Sequence, residues 1–201
     1  ISIAAAAMAV AVQAQTLVHD PKPSAAVTAA VADPARPPAD TMRDGNRKPA
    51  QVVAVSGLKP GQTVVELGSG AGYYTRILAK TVGDKGKVYA IVGAQPPGAA
   101  ARLQPIVTDN PNVQIVEDDM TKLANVPGKV DMVWTTDNYH DFHNAMPDMA
   151  AFNKAVFNVL KPGGIFLVED HAAAAGSGLS ATRSLHRIDP ADLDLPGFPT
   201  P

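Results

Sequence analysis

The chain has 201 residues, of which 46% are hydrophobic and 18% charged, and this is enough for one domain with a sizeable core. Its formal net charge of −2 gives no broad attraction to nucleic acids or to anionic membrane surfaces. The absence of cysteine excludes disulfides, thiolate zinc sites and a cysteine nucleophile.

The N-terminal stretch 1–18 is uncharged and consists mainly of alanine and other small apolar residues. Val12-Gln13-Ala14 followed by Gln15 resembles a signal-peptidase site, so we expect the apolar part of a secretory signal peptide and an exported, periplasmic or secreted protein. The run is too short and alanine-rich for a stable membrane span. Because the chain begins without Met or a basic leader, we expect a few preceding residues. The alternative is a helix of the folded protein, which would leave an uncleaved chain in the cytoplasm.

The next three regions differ in composition. Proline alternates with alanine and aspartate over 19–40, a composition typical of an extended linker. We expect the folded domain to span 41–190 and the proline-rich stretch 191–201 to form an irregular tail. At the start of the domain, the charged segment 43–49 could fold over a binding site as a lid or remain a solvated connector.

Strand and helix patterns alternate through the domain, which predicts βαβ units and a parallel sheet. The near-continuous apolar strands indicate burial on both faces, so we predict an α/β fold with a Rossmann-like, doubly wound parallel sheet. Ligands of such sheets bind beyond the carboxyl ends of the strands. The predicted strands are 63–67, 87–92, 113–117, 130–135 and 164–169, and the predicted helices are 48–56, 73–82, 99–109 and 146–160.

A glycine-rich turn follows the first predicted strand. Residues 66–72 read Glu-Leu-Gly-Ser-Gly-Ala-Gly, and a helical pattern opens at Tyr73. Glycine lets the backbone turn sharply or approach a ligand, and a helix N-terminus presents unpaired N–H groups to an anion such as a carboxylate. A dinucleotide fingerprint needs a small residue where Tyr73 or Thr75 stands, and a P-loop needs Gly-Lys-Ser/Thr. The spacing therefore disfavours a pyrophosphate and excludes a P-loop.

The run 136–143 after the fourth strand reads Thr-Asp-Asn-Tyr-His-Asp-Phe-His. His140 is suited to accept a proton near neutral pH, and Asp141 or Asp137 could orient it. In a helix, the spacings of Asp137, His140 and His143 would also allow metal ligation, with Asp170 and His171 converging. No clear third or fourth ligand completes the run, so we predict no metal. A polar loop without a chemical role is the remaining alternative.

From about residue 40 to 190 the chain resembles class I methyltransferases that depend on S-adenosylmethionine (SAM), and more narrowly predicted bacterial methyltransferases that carry signal peptides. The broad likeness lies in the glycine turn at 66–72 and in Leu-Lys-Pro-Gly-Gly before the fifth strand. The stretch 68–75 also resembles protein isoaspartyl methyltransferases. The narrower likeness lies in Arg-Lys-Pro at 47–49, Gly-Tyr-Tyr-Thr at 72–75, Asn-Tyr-His-Asp at 138–141, Glu-Asp-His at 169–171 and His-Arg-Ile-Asp at 186–189.

The resemblance implies SAM as the cofactor. In the family, an acid at position 66 orients the glycine turn and approaches the ligand's amino group. An acid after strand 2 binds the ribose; none follows here, and Gln95 is the substitute. Asp119 with Met120, or else Asp118, matches the residues that contact adenine. The cofactor residues so implied are Glu66, Gly68, Ser69, Gly70, Gly72, Tyr73, Gln95, Asp118, Asp119, Met120 and Asp137.

The resemblance also implies two further strands, which form an antiparallel hairpin at the edge of the family's sheet. Only 31 residues follow Asp170, and the last of them are rich in proline. Proline is poorly suited to sheet interiors, so we expect these C-terminal strands to be missing and the edge of the fifth strand to be open.

The expected function is SN2 transfer of a methyl group from SAM to a small or unidentified acceptor, driven largely by in-line positioning. His140 is the expected general base. One alternative is an exported, non-catalytic binding protein that retains the fold, because SAM is made in the cytoplasm. The other is a nucleotide-dependent oxidoreductase, which Tyr73 and the missing acid after strand 2 disfavour.

Overall fold

The computed structural model describes residues 21–93 and 98–193. The expected signal peptide, Gln95 and most of the expected tail lie outside the described residues. Within them, no helix has the length and apolar character needed to cross a bilayer. The elements are α1 Ala25–Val31, α2 Pro38–Thr41, α3 Asp44–Arg47, α4 Pro49–Ser56, β1 Thr63–Leu67, α5 Tyr73–Val82, β2 Lys87–Val92, α6 Ala99–Asp109, β3 Val113–Glu117, β4 Val130–Thr136, α7 Tyr139–Ala145, α8 Met149–Val159, β5 Leu160–Glu169, α9 Thr182–Leu185 and a 3-10 turn at Pro190–Asp192.

The five strands form one parallel sheet in the order β3-β2-β1-β4-β5. The chain order reverses between β1 and β4, and such a switch point opens a crevice at the carboxyl ends of the two strands. The predicted α/β doubly wound fold is confirmed. In the described part of the chain no other strand joins the sheet, and Ala172 and Ile188 form an isolated parallel bridge.

The central strands β1, β2 and β4 are buried on both faces of the sheet. Val64 of β1 belongs to a cluster with residues of α1, α4, α5 and α6. Its neighbour Val65 points to the other face and belongs to a cluster with residues of α7 and α8. Both side chains are fully buried, which explains why β1 reads as a continuous apolar run rather than an alternating one.

Residues 25–31 form a packed helix, so the prediction of an extended linker over 19–40 is wrong for this stretch. Ser24 caps α1 by accepting a hydrogen bond from the Val27 N–H at 3.3 Å. Val27 and Ala30 lie three residues apart and are both buried in the core that includes α5. The prolines flank the helix and do not interrupt it, which is why a composition rich in proline concealed it.

The predicted helix over 146–160 is also corrected. Pro147 separates two helices, α7 and α8, because proline disfavours helical backbone in the residue before it. Asp148 then caps α8 by accepting a hydrogen bond from the Ala151 N–H at 2.9 Å. The next strand, β5, begins at Leu160 and not at 164. The polar run after β4 therefore lies mostly on a helix.

Candidate functional site

The glycine turn connects β1 to α5 at the switch point. Gly68, Gly70 and Gly72 all have positive φ, at 72°, 57° and 81°. A Cβ on Gly72 would lie 1.9 Å from Cδ1 of Ile106, and one on Gly68 would lie 2.7 Å from the side chain of Asn138. At both positions the positive φ favours glycine, and a Cβ would in addition displace a neighbouring side chain.

Gly70, in the middle of the turn, faces open space: a Cβ there would have no atom within 4 Å. The helix behind the turn begins with Gly72 at its N-cap, so no side chain caps its first amide groups. Unsatisfied N–H groups at a helix N-terminus attract anions. The turn thus offers an open backbone surface beside a site suited to a carboxylate.

Glu66 lies beneath this turn at the end of β1, 3% exposed. Its carboxylate accepts a hydrogen bond of 2.6 Å from Oγ1 of Thr75. Burial raises the pKa of Glu66 to about 7, and the hydroxyls of Thr75 and Ser69 oppose that rise. The Ser69 hydroxyl is near Glu66, but it does not reach the geometry of a hydrogen bond with any described atom. Glu66 therefore ties the start of α5 to β1.

Tyr73 contacts residues 36–48, which we call the arginine segment. Its hydroxyl donates a hydrogen bond of 2.6 Å to Asp44, which also pairs with Arg36. The guanidinium carbons of Arg36, Arg43 and Arg47 lie 5.0–5.3 Å from the centre of the Tyr73 ring. Cation–π and hydrogen-bond contacts thus hold the segment on α5. Direct contact of Tyr73 with the cofactor stays a prediction.

A cleft of about 350 Å³ lies between the arginine segment and the carboxyl ends of β4 and β5. Tyr74, next to the glycine turn, forms part of its wall and donates a hydrogen bond of 3.3 Å to the carbonyl of Arg47. The arginine segment therefore covers one side of a cleft and is not a free connector. The cleft is lined by Arg43, Asn46, Arg47, Tyr74, Asp137, Glu169 and His171.

Asp137 contacts both an arginine and a histidine in this cleft. One carboxylate oxygen lies 2.6 Å from Nη2 of Arg47, and the other lies 3.6 Å from Nε2 of His171. Burial raises the pKa of Glu169, and the negative charge of Asp137 raises it further. The left-handed backbone of Asp137, with φ of 55°, turns the chain from β4 toward α7. The cleft thus combines two arginines with a histidine–carboxylate pair.

His140 is buried at 2% exposure and is not among the residues that line the cleft. Its Nδ1 lies 2.7 Å and 3.0 Å from the two carboxylate oxygens of Asp170. Its backbone N–H donates to the same carboxylate at 2.9 Å. Asp170, which the prediction of Asp137 or Asp141 did not include, is therefore the carboxylate at Nδ1, and Asp137 instead pairs with Arg47. Asp141 lies on the other side of the ring, 3.4 Å from Nε2.

His186 is a second partner that the sequence did not reveal. Its Nδ1 lies 3.2 Å from Nε2 of His140. His143, which the spacing offered as a partner of His140, instead packs its ring edge-on against Tyr139, and burial lowers its pKa. The signal available in the sequence was the grouping of histidine and aspartate in three separate motifs, at 138–141, 169–171 and 186–189.

The acidic pair after β3 is bound within its own loop. Asp118 accepts hydrogen bonds from the N–H groups of Asp119 and Asn125, at 2.8 Å and 2.6 Å. Asp119 is exposed, and its contacts with Lys122 first and Thr121 second lower its pKa to about 2. Met120 packs against the cluster on the α7–α8 face of the sheet. Adenine binding by these residues stays a prediction.

Residues 64–164 match a family model described as a methyltransferase domain. In sequence, the chain is 36% identical over 106 residues to 2-methyl-6-phytyl-1,4-hydroquinone methyltransferase of Synechocystis sp.. The matched region is 53% of this chain and 31% of that protein, so the chain spans about a third of the length of this relative.

Two solved structures are similar to the chain. A SAM-dependent methyltransferase from Aquifex aeolicus matches with a TM-score of 0.56 and 28% identity, over 66% of this chain and 70% of that one. The arsenic(III) S-adenosylmethionine methyltransferase of Chlamydomonas reinhardtii matches with a TM-score of 0.57 over 87% of this chain and 61% of that one. At 20% identity the second likeness shows the fold alone.

Proposed function

The chain belongs to the methyltransferase domain family, and we propose that the protein transfers the methyl group of SAM to a small-molecule acceptor in the cleft beside the glycine turn. The predicted family and its cofactor class are confirmed by the family match and by the Aquifex structure. One observation carries the proposal: at the switch point of the sheet the glycine turn, open at Gly70, leads into α5, and Tyr74 of α5 forms part of the wall of a polar cleft.

The residues of the turn fit SAM. The uncapped amides at the start of α5 suit its methionine carboxylate, and the backbone at Gly70 leaves room for the chain of the ligand. We assign the adenine end to Asp118–Met120, as the sequence predicted. When bound, SAM supplies a methyl group activated by its positively charged sulfur.

The cleft favours an acceptor with an acidic hydroxyl. Arg43 and Arg47 on the arginine segment attract a developing negative charge. The Synechocystis relative is named for a hydroquinone. We therefore propose a phenol-like or otherwise hydroxylated small molecule as the acceptor class.

His171 replaces His140 as the proposed general base. Its side chain is 56% exposed beside the cleft, 3.6 Å from Asp137, whereas Nε2 of His140 faces His186 and Asp141. His171 would take the proton from the acceptor as that atom is methylated, and Asp137 would stabilise the imidazolium. Arg47 holds Asp137 in place.

Transfer of a labelled methyl group from SAM to a panel of phenols and hydroquinones tests the proposal. With an active acceptor, His171→Ala should lower kcat by about 100-fold, the low end of the usual contribution of a general base. Unchanged turnover in His171→Ala would exclude this base. Asn46→Ala is the control, because it changes an uncharged residue in the same wall of the cleft. If it lowered kcat as much as His171→Ala does, the effect would come from the shape of the cleft and not from a general base.

A further inference from the structure

We propose that His140, Asp141 and His186 bind a divalent transition-metal ion, with Zn²⁺ as the model ion. These three side chains lie where α7 meets the segment 172–192, and each offers one ligand atom within 4.8 Å of the others. We call them, together with Asp170, the histidine cluster. The proposal stands apart from the methyl-transfer proposal, because the cluster lies outside the lining of the cleft.

The distances match those between ligands on one metal ion. Nε2 of His140 lies 3.2 Å from Nδ1 of His186 and 3.4 Å from Oδ2 of Asp141, and Nδ1 of His186 lies 3.7 Å from Oδ1 of Asp141. Two ligands at about 2.0–2.1 Å from Zn²⁺ in a tetrahedral site are about 3.3 Å apart. The two distances to Asp141 use different carboxylate oxygens, and with one ligand atom from each residue all separations stay within 4.8 Å. Rotation of the exposed Asp141 side chain would bring one oxygen onto the ion, with water at the remaining position.

The chemistry of the donors fits a transition metal. Two imidazole nitrogens and one carboxylate are a common ligand set for Zn²⁺ and Fe²⁺, whereas Mg²⁺ and Ca²⁺ prefer oxygen ligands. Asp141 and His186 have half or more of their side chains exposed, so an ion can reach the site from solvent. The buried member, His140, presents its Nε2 to them.

Asp170 provides an outer shell for the site. It accepts hydrogen bonds on both oxygens from His140, and its side chain is only 1% exposed. Because Nδ1 faces a carboxylate, it carries the proton, and Nε2 has its lone pair free toward the proposed ion. Carboxylate–histidine–metal arrangements of this kind fix the tautomer and strengthen the ligand. The ion would also balance the buried charge of Asp170, which forms no ion pair with lysine or arginine among the described residues.

The chain builds a loop that brings His186 to α7. Ile188 is buried at 1% in the core and pairs with Ala172 in a parallel bridge. Thr182 of α9 donates a hydrogen bond of 2.8 Å to the side chain of Asn144 in α7. Between these anchors His186 adopts a left-handed backbone, with φ of 50°. A strained conformation in a non-glycine residue is a mark of functional sites.

Titration of the chelator-treated full chain with Co²⁺, followed by visible absorption, tests the proposal. We expect saturation at one equivalent with the intense bands of a tetrahedral site, and displacement of Co²⁺ by Zn²⁺. His186→Ala removes an exposed side chain, so the fold should persist while the affinity falls by more than about 100-fold. Asp170→Asn should weaken binding by about 10–100-fold, as outer-shell losses do.

His171→Ala is the matched control, because it removes another exposed histidine whose side chain faces Asp137 and not a proposed ligand, while its backbone contact with Asp170 is kept. It should leave the Co²⁺ affinity unchanged. The proposal fails if the wild-type chain shows no saturable binding below millimolar Co²⁺. It also fails if His186→Ala or Asp141→Asn binds as tightly as the wild type, since the ion would then lie elsewhere.

Discussion

The glycine turn and the histidine cluster both lie at the carboxyl ends of the strands, but they are built in opposite ways. The turn consists of consecutive residues, and it acts through its backbone, with its acid Glu66 buried beneath it. The cluster joins side chains that are 30 and 46 positions apart in sequence. A site made of backbone is encoded locally, whereas a site made of side chains depends on distant segments that pack correctly.

The largest expected effect concerns the packing of the segment 172–192, on which the histidine cluster depends. Ile188→Ala should destabilise the chain by about 2–5 kcal/mol, because it empties a fully buried position in the segment that carries His186. Hydrogen exchange measures the change, and we expect loss of protection over 172–192 with little change at β1, because the segment opens without unfolding of the sheet. Leu185→Ala is the control, since Leu185 is 64% exposed and its loss should cost little.

Equal loss of protection at β1 and over 172–192 would contradict the contrast between the two regions. It would mean that the C-terminal segment is part of the same cooperative unit as the glycine turn and is not a separately docked element.

The next effect concerns the buried acid under the turn. The pKa of Glu66 is about 7, above its ordinary value of 4.5, so the folded state favours the neutral form. Its contribution to stability is full below pH 4.5 and is lost as the pH rises to 7, a fall of about 3 kcal/mol. Glu66→Gln keeps the neutral shape and should abolish this part of the pH dependence in urea unfolding at pH 5 and pH 8.

Glu117→Gln, an exposed acid at the end of β3, is the control and should leave the pH dependence as in the wild type. If Glu66→Gln gave the same slope as the wild type, Glu66 would have to be ionised in the folded state. The turn would then rest on a buried charge and not on a neutral carboxyl.

The smallest expected effect is at the cleft. Arg47→Ala should change stability by less than about 1 kcal/mol, because both partners of its ion pair with Asp137 are partly exposed. Its main effect should be a higher KM for the acceptor, which Arg47→Lys should only partly restore because lysine cannot form the same planar contacts. A stability loss of several kcal/mol would show that the arginine segment is part of the core.

The sheet could be predicted because each strand is a continuous apolar run bounded by turns, and β1, β2 and β3 have the predicted bounds. The helix α1 could not, because its weak apolar stripe has only Val27 and Ala30 buried and is flanked by prolines. Its stability comes from packing on α5, a tertiary effect that local propensity does not contain.

The candidate site, like the fold, was predicted only in part. The glycine turn was predicted in position and type, since three alternate glycines after a strand have few other uses. His140 was singled out, but Asp170 and His186 were not assigned as its partners. The reason is that the sequence alone does not show which distant loops pack against each other at the carboxyl ends of the strands. For the same reason the histidine of the cleft, His171, was considered only as a metal ligand.

Calorimetric titration of the chain with SAM tests the central claim that the turn at 68–72 holds this cofactor. The account predicts that SAM binds with one-to-one stoichiometry. In Gly70→Asp the affinity for SAM should fall by about 100-fold or more, because the new side chain would occupy the open space and repel the methionine carboxylate of SAM. Gly128→Asp, at another open glycine with positive φ, should bind as the wild type does. Absence of binding at millimolar SAM, or equal affinity in Gly70→Asp, would contradict the account.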